Sequence, residues 1–241
     1  MNNQLQLLQS YYRFLSLGKY LEFLIQSKDF SKEVLDIAIV TGKRSHFGIK
    51  SSMIKALLKQ IHEKPDQRNI FGYLVEISSF RGIFGIMREL LENDEKFKKF
   101  VVSRLYEHYF DFEQIIRLIR NILSHTTTAD LIIKNDAFVK QRDFLVYAKN
   151  PIVSFKFSYA NYWKEWKGNK EYGLDITIAF TNLKEGDSLF DIISLHQLYI
   201  LSELCYNLCE VFRAENPVKK PTKSIGKKIY KKYSQKQSTK K

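Results

Sequence analysis

The chain is poor in residues that staple, kink or span. Cys205 and Cys209 are its only cysteines among 241 residues, which excludes a disulfide scaffold and points to a reducing, cytoplasmic setting. Proline occurs four times, at Pro65, Pro151, Pro217 and Pro221, so long stretches carry nothing to interrupt a helix. No apolar run approaches the ~20 residues of a membrane span, the longest being broken by Lys, Asp or Glu. The opening Met-Asn-Asn-Gln-Leu-Gln has no basic segment followed by an apolar one, so no secretory signal is expected. A glycine-rich phosphate loop, His-Glu-x-x-His, CxxC and the His-Asp dipeptide of metal phosphohydrolases are also missing. No metal or cofactor is therefore expected.

What is present is the balance of a folded protein, 44% hydrophobic and 27% charged. The net charge is +13, but ten lysines and no acidic residue lie between Lys219 and Lys241, which leaves only +3 for residues 1–218. The tail is basic; the body is not. Such a tail is too polar and too like-charged to fold alone, and disorder is expected there. It suits salt-sensitive attraction for nucleic acid. The stripe Ile225, Ile229 and Tyr233 also permits a basic amphipathic helix on a membrane or an acidic partner.

Apolar residues at spacings of three and four predict helices over 4–17, 19–28, 31–41, 50–62, 69–92, Asp94 to Tyr109 and Asp111 to Ser124. Ser31 reads as an N-cap and Gly42 as a helix stop. After Pro151 the period changes to two. Val153, Phe155, Phe157 and Tyr159 alternate with smaller or polar residues, as do Leu174, Ile176, Ile178 and Phe180. A β-hairpin at about 152–181 is expected, followed by a long, largely apolar helix from Ser188 or Asp191 to about Arg213. The fold class is mainly α, a helical bundle with a β-hairpin insertion and a disordered basic tail.

One catalytic pattern survives the scan: Arg120-Asn121-Ile122-Leu123-Ser124-His125, an Arg-x4-His at the end of a helix. With ten arginines and five histidines, chance supplies about 0.2 such pairs, fewer still with Asn after the Arg. At 100° per residue, Asn121 and His125 lie 40° apart, whereas Arg120 and His125 diverge by 140°. One helix therefore does not aim both at a small target, but two copies about a twofold axis can. An imidazole near a helix C-terminus can move protons, and a guanidinium can clamp a phosphate. Those groups suit RNA cleavage by the ribose 2′-hydroxyl, a route that needs proton transfer and charge stabilisation.

The segment resembles the signature of the HEPN superfamily (higher eukaryotes and prokaryotes nucleotide-binding domain), Arg-x4-6-His with a polar residue after the Arg. Arg120, Asn121 and His125 match it. The resemblance implies a helical bundle acting as a homodimer and a metal-independent endoribonuclease, with toxin–antitoxin, abortive-infection or other antiviral defence as its setting. An antitoxin or defence-system protein is then a possible partner. The specific match covers six residues, and helix content extends a looser similarity over about 94–213. On this reading residues 1–92 form an N-terminal helical region, 93–216 a HEPN-like core carrying the hairpin, and 217–241 the tail. The alternative is a non-catalytic RNA- or partner-binding helical module.

Other features bear on RNA. At the hairpin tip, Tyr162, Trp163 and Trp166 interleave with Lys164, Lys167 and Lys170, a pattern for base stacking with phosphate contacts. Packing of those rings across the hairpin or onto a helix is the commoner fate. Arg117, one turn before Arg120, could widen a phosphate site. His46, His62, His108 and His196 have no evident partner and read as structural, as do Cys205 and Cys209, four residues apart in an apolar helix. Truncation after Asn216 is expected to weaken RNA binding and flatten its salt dependence. The logarithmic slope should fall by about 0.7 for each single-strand phosphate that the tail neutralises. Filter binding across a salt series measures this; an unchanged slope assigns the tail another role.

Overall fold

The computed structural model describes residues 2–26, 35–42, 45–63, 70–125, 131–164 and 167–217. The protein is mainly helical. In chain order α1 (Asn2–Gln26) is followed by β1 (Ile37–Gly42), β2 (Ser45–Ile49), α2 (Ser51–Glu63), α3 (Ile70–Asn93), α4 (Glu95–Leu105) and α5 (Tyr109–His125). Then come α6 (Asn135–Tyr147), β3 (Ile152–Ser158), the single turn α7 (Tyr159–Tyr162), β4 (Gly173–Ala179), the single turn α8 (Leu189–Ile192) and α9 (Leu195–Glu215). Among the described residues no helix is long and apolar enough to cross a membrane.

The two helices expected over 4–17 and 19–28 are one, because Gly18 does not stop α1. A Cβ at Gly18 would lie 2.2 Å from Val75 Cγ1, so the glycine is where α1 presses against α3. The partners between these helices run in opposite order: Gln4 with Glu89, Tyr11 with Gly82, Gly18 with Val75 and Glu22 with Gly72. The pair is antiparallel. α1 meets α9 through a stacked Tyr12–Tyr206 pair, 4.6 Å between centroids, and through Gln9, which reaches Glu210 at 2.7 Å.

Residues 37–42, expected as the end of a helix, form instead a strand paired antiparallel with β2. Four of these six residues (Ile37, Ile39, Val40, Thr41) are β-branched, which lowers helix and raises strand preference. Gly42 accordingly ends a strand, beside a break in register between Val40 and Gly42. Ser31 and the chain after Pro217, tail included, lie outside the described residues.

Asp94 caps α4 by accepting from the Phe97 N–H at 2.9 Å. The run expected to continue to Tyr109 breaks at Tyr106, which has φ 49°, and residues 106–108 form a 3₁₀ turn from which α5 sets off afresh. The hairpin follows the sequence reading, with Ile152 opposite Ala179 and Phe155 opposite Ile176, except that Tyr159, expected in the strand, opens the helical turn α7. Val153, Phe155, Phe157, Leu174, Ile176 and Ile178 are buried and the alternate positions reach solvent. The long helix begins at Ser194, whose hydroxyl caps the Gln197 N–H while the Gln197 side chain accepts from the Ser194 N–H, a reciprocal capping box.

α6 carries no clear periodicity in the sequence because its middle core position is polar. Phe138 and Leu145 are buried at its two ends, and between them Gln141 is 0% exposed. The Gln141 amide donates to the Gln114 backbone carbonyl at 2.8 Å and to its side chain at 3.1 Å, tying α6 to α5. One hydrophobic cluster runs from Leu5 to Phe212, and helices on both sides of residue 93 share it.

Two glycines of α3 separate packing from propensity. A Cβ at Gly82 would sit 2.4 Å from the Tyr11 ring, whereas one at Gly85 would meet nothing within 4 Å. Gly85→Ala is therefore expected to stabilise the fold by about 0.5–1 kcal/mol, and Gly82→Ala to destabilise it by about 1–3 kcal/mol despite the same gain in propensity. Urea denaturation of the two variants measures the difference.

Candidate functional site

α5 carries the Arg-x4-His segment and is enclosed on most of its surface. Phe112, Gln114, Ile115, Ile116, Leu118, Ile119, Ile122 and Leu123 are buried against α3, α6 and the β3–β4 hairpin. Glu113, Arg117, Arg120, Asn121 and Ser124 occupy the remaining arc of about 100° and reach solvent in part or fully. Between Phe112 and Ser124 every polar residue except Gln114 lies on this arc, so Arg117, Arg120 and Asn121 share one stripe.

Within that stripe the Arg120 Nη1 donates to Asn121 Oδ1 at 3.4 Å. Arg120 is exposed and makes no ion pair among the described residues. Arg117 is half-buried; burial and the neighbouring Arg88 guanidinium both disfavour its charged form, and Glu92 and Glu113 oppose them. Arg88, on α3, pairs with Glu92 and lies 3.5 Å from Glu113. The stripe is thus the edge of an α3–α5 seam in which cations and carboxylates are interleaved. Sequence reasoning misses Arg88 and its acidic partners. The (i, i+4) spacings Arg88–Glu92 and Glu113–Arg117 are visible there, but not that α3 and α5 bring them together.

His125 is the last residue of α5, and only its backbone is described. The chain beyond rejoins the body at Leu131–Ile133, which pairs with the stretch around Ser188: Leu189 N–H donates to Leu131 O at 2.7 Å and Ile133 N–H to Asp187 O at 2.9 Å. Both ends of the connection after His125 are therefore anchored in the core.

At the hairpin tip the expected aromatic platform is largely turned inward. Tyr162 stacks on Phe157 with centroids 5.1 Å apart, and half-buried Trp163 lies 5.9 Å from the Tyr159 ring. Lys164, Lys167 and Lys170 are exposed, and Trp166 lies outside the described residues. Tyr162 and Trp163 pack on the hairpin and its following turn, not on the α5 stripe. His62 bonds the Ile25 carbonyl at 2.8 Å, His196 is exposed on α9, and the side chain of His46 lies outside the described residues.

His108 sits at the other end of α5, edge-on to Phe155 and Tyr162, and borders a cavity of about 520 Å³ beside the hairpin with Lys156, Asn161 and Asp175. Asp111 lies close by. Burial raises its carboxyl above the ordinary aspartate value, against the Ser154 backbone N–H and His108, which favour the anion. Cys205 and Cys209 are buried, and burial pushes both thiols up. Among the described residues no group of three or more His, Cys, Asp or Glu is placed to hold a metal ion.

No protein-family model matches the chain, no curated protein matches its sequence and no solved structure matches its fold.

Because the folded chain holds the Asp111 proton more tightly than the unfolded one, this carboxyl favours folding at acid pH and loses that contribution as pH rises through its raised value. Asp111→Asn is expected to stabilise the fold at neutral pH relative to mildly acidic pH. Urea midpoints at the two pH values check it; a net destabilisation that is larger at neutral pH would mean that the Ser154 interaction dominates.

Proposed function

We propose that the protein is a metal-independent endoribonuclease of the HEPN type, working as a homodimer in the cytoplasm as a toxin or antiviral effector. The observation that carries this reading is the single solvent stripe of α5, where Arg117, Arg120 and Asn121 stand together on a helix otherwise committed to the core. RNA is the substrate. Arg120 holds the scissile phosphate, Asn121 orients the phosphate or the attacking group, and His125 acts as general acid or base. Arg117 widens the phosphate contact. Lys164 and Lys167 at the exposed hairpin tip meet the RNA backbone, with Trp163 and Trp166 offering whatever ring surface is left free for bases.

Helix geometry supports the dimer. Positions 120 and 125 are about 7.5 Å apart along the axis and 140° around it, and a second α5 across a twofold axis could bring the groups of both copies into one site. The 2′-hydroxyl attacks the adjacent phosphorus as its proton leaves, and the 5′-oxygen departs as it gains one. The products are a 2′,3′-cyclic phosphate and a 5′-hydroxyl. An antitoxin or defence-system protein that covers the α5 stripe would silence such an enzyme.

Cleavage of RNA in excess EDTA with cyclic-phosphate ends is the expected outcome, and strict dependence on added magnesium would sink the mechanism. His125→Ala should lose roughly 10²–10⁴-fold in rate and Arg120→Ala a similar factor. The double variant should be far less than multiplicatively worse, since residues acting as a unit are non-additive. RNA binding with no cleavage by the unmodified protein would establish the binding module instead. Full activity in His125→Ala would end the reading.

A further inference from the structure

We propose that a cavity between α1, α3 and the start of α9 is a binding site for an organic cation with an apolar body, an alkylammonium. It is independent of the α5 stripe and of the ribonuclease reading. The cavity has a volume of about 770 Å³, within the ~300–1,000 Å³ of small-molecule sites. Its floor is charged and its rim apolar, and each half points to the same ligand.

The floor holds two carboxylates, Glu22 from α1 and Glu76 from α3, only 7% and 6% exposed. Between them stands one cation, Lys19, which pairs with Glu22 and lies 3.0 Å from Glu76. The Tyr199 hydroxyl donates to Glu76 at 2.6 Å. Among the described residues the two carboxylates share one ammonium, so the floor carries a formal excess of one negative charge. Lys19 approaches from the solvent side, its side chain 40% exposed.

The position of Glu22 is built into the backbone. Gly72 stands against it in the first turn of α3, and a Cβ there would fall 2.1 Å from Glu22 Oε1. A helical glycine costs about 1 kcal/mol relative to alanine. At this position the space it leaves is filled by the carboxylate.

Three different elements supply the rim. Phe23 of α1 is 70% exposed, and Phe190 of α8 and Leu195 of α9 are exposed beside it. Large apolar side chains gathered around one mouth mark a contact surface. A phenylalanine ring beside a carboxylate floor also favours a cation through its face. A metal ion would leave this rim unused, and a neutral apolar molecule would leave the formal excess of one negative charge in place. An amine on an alkyl chain satisfies both.

The experiment titrates the full-length protein with hexylammonium chloride by calorimetry, using 1-hexanol and ethylammonium as controls. Saturable one-site binding is expected, with both controls about tenfold or more weaker, because each lacks one of the two recognised parts. Phe23→Ala, a change at an exposed position, should weaken hexylammonium at least fivefold, and Glu22→Gln should do the same where it folds. Equal binding of hexanol would reduce the site to an apolar patch and overturn the proposal. So would absence of saturation, or unchanged affinity in Phe23→Ala. Since Glu22, Glu76 and Phe23 are remote in sequence from residues 117–125, failure here leaves the ribonuclease reading standing, and the reverse holds too.

Discussion

The packing of α5 sets the terms for the rest of the molecule. Seven apolar side chains between Phe112 and Leu123 are withdrawn from water on this helix, a burial contributing on the order of 10–20 kcal/mol before entropy is counted. α3, α6 and the β3–β4 hairpin are the surfaces that receive them. A helix gripped on three sides cannot rotate without exposing this face, so its remaining stripe has a fixed direction. The 3₁₀ turn at Tyr106–His108 and the anchored stretch Leu131–Ile133 fix the two ends of the segment in the same way.

This explains which parts of the fold are legible in the sequence. α5, α9 and the hairpin show clean periods of 3.6 and 2 because each buries a face that is apolar but for single polar residues, Gln114 on α5 and Ser202 on α9. The strand at 37–42 reads as a helix because apolar spacing over so few residues fits either period, and the β-branched content decides it. α6 stays hidden because a polar residue, Gln141, fills a core position, its amide group bonded to the Gln114 carbonyl of α5. Arg120, Asn121 and His125 can be picked out in advance, since they lie within one helix. Arg88 and Glu92 cannot, since nothing in a linear chain announces which helix packs beside another. The Glu22–Glu76 pair, 54 positions apart, is hidden for the same reason.

Charge behaves differently in the body and in the tail. The body interleaves its signs: Arg88 between Glu92 and Glu113, Arg104 with Glu215, Lys156 with Asp175 at 3.3 Å, Lys19 between two glutamates. Among the described residues many cations of the body are paired in this way, and Arg120, exposed beside Asn121, is not. Ten of the thirteen net positive charges lie after Pro217, and the field of such exposed charges fades with salt over a Debye length of ~10 Å. Under the proposed function, capture from a distance and contact at close range would fall to different parts of the chain.

Cys205 and Cys209 lie on the core side of α9, out of reach of solvent and with their thiolates disfavoured by burial. A thiol reagent cannot reach them while α9 is seated. Their labelling rate therefore counts how often that helix lifts away from α3 and the hairpin, at two points one turn apart, without any engineered probe. The molecule carries its own clock for the opening of its centre.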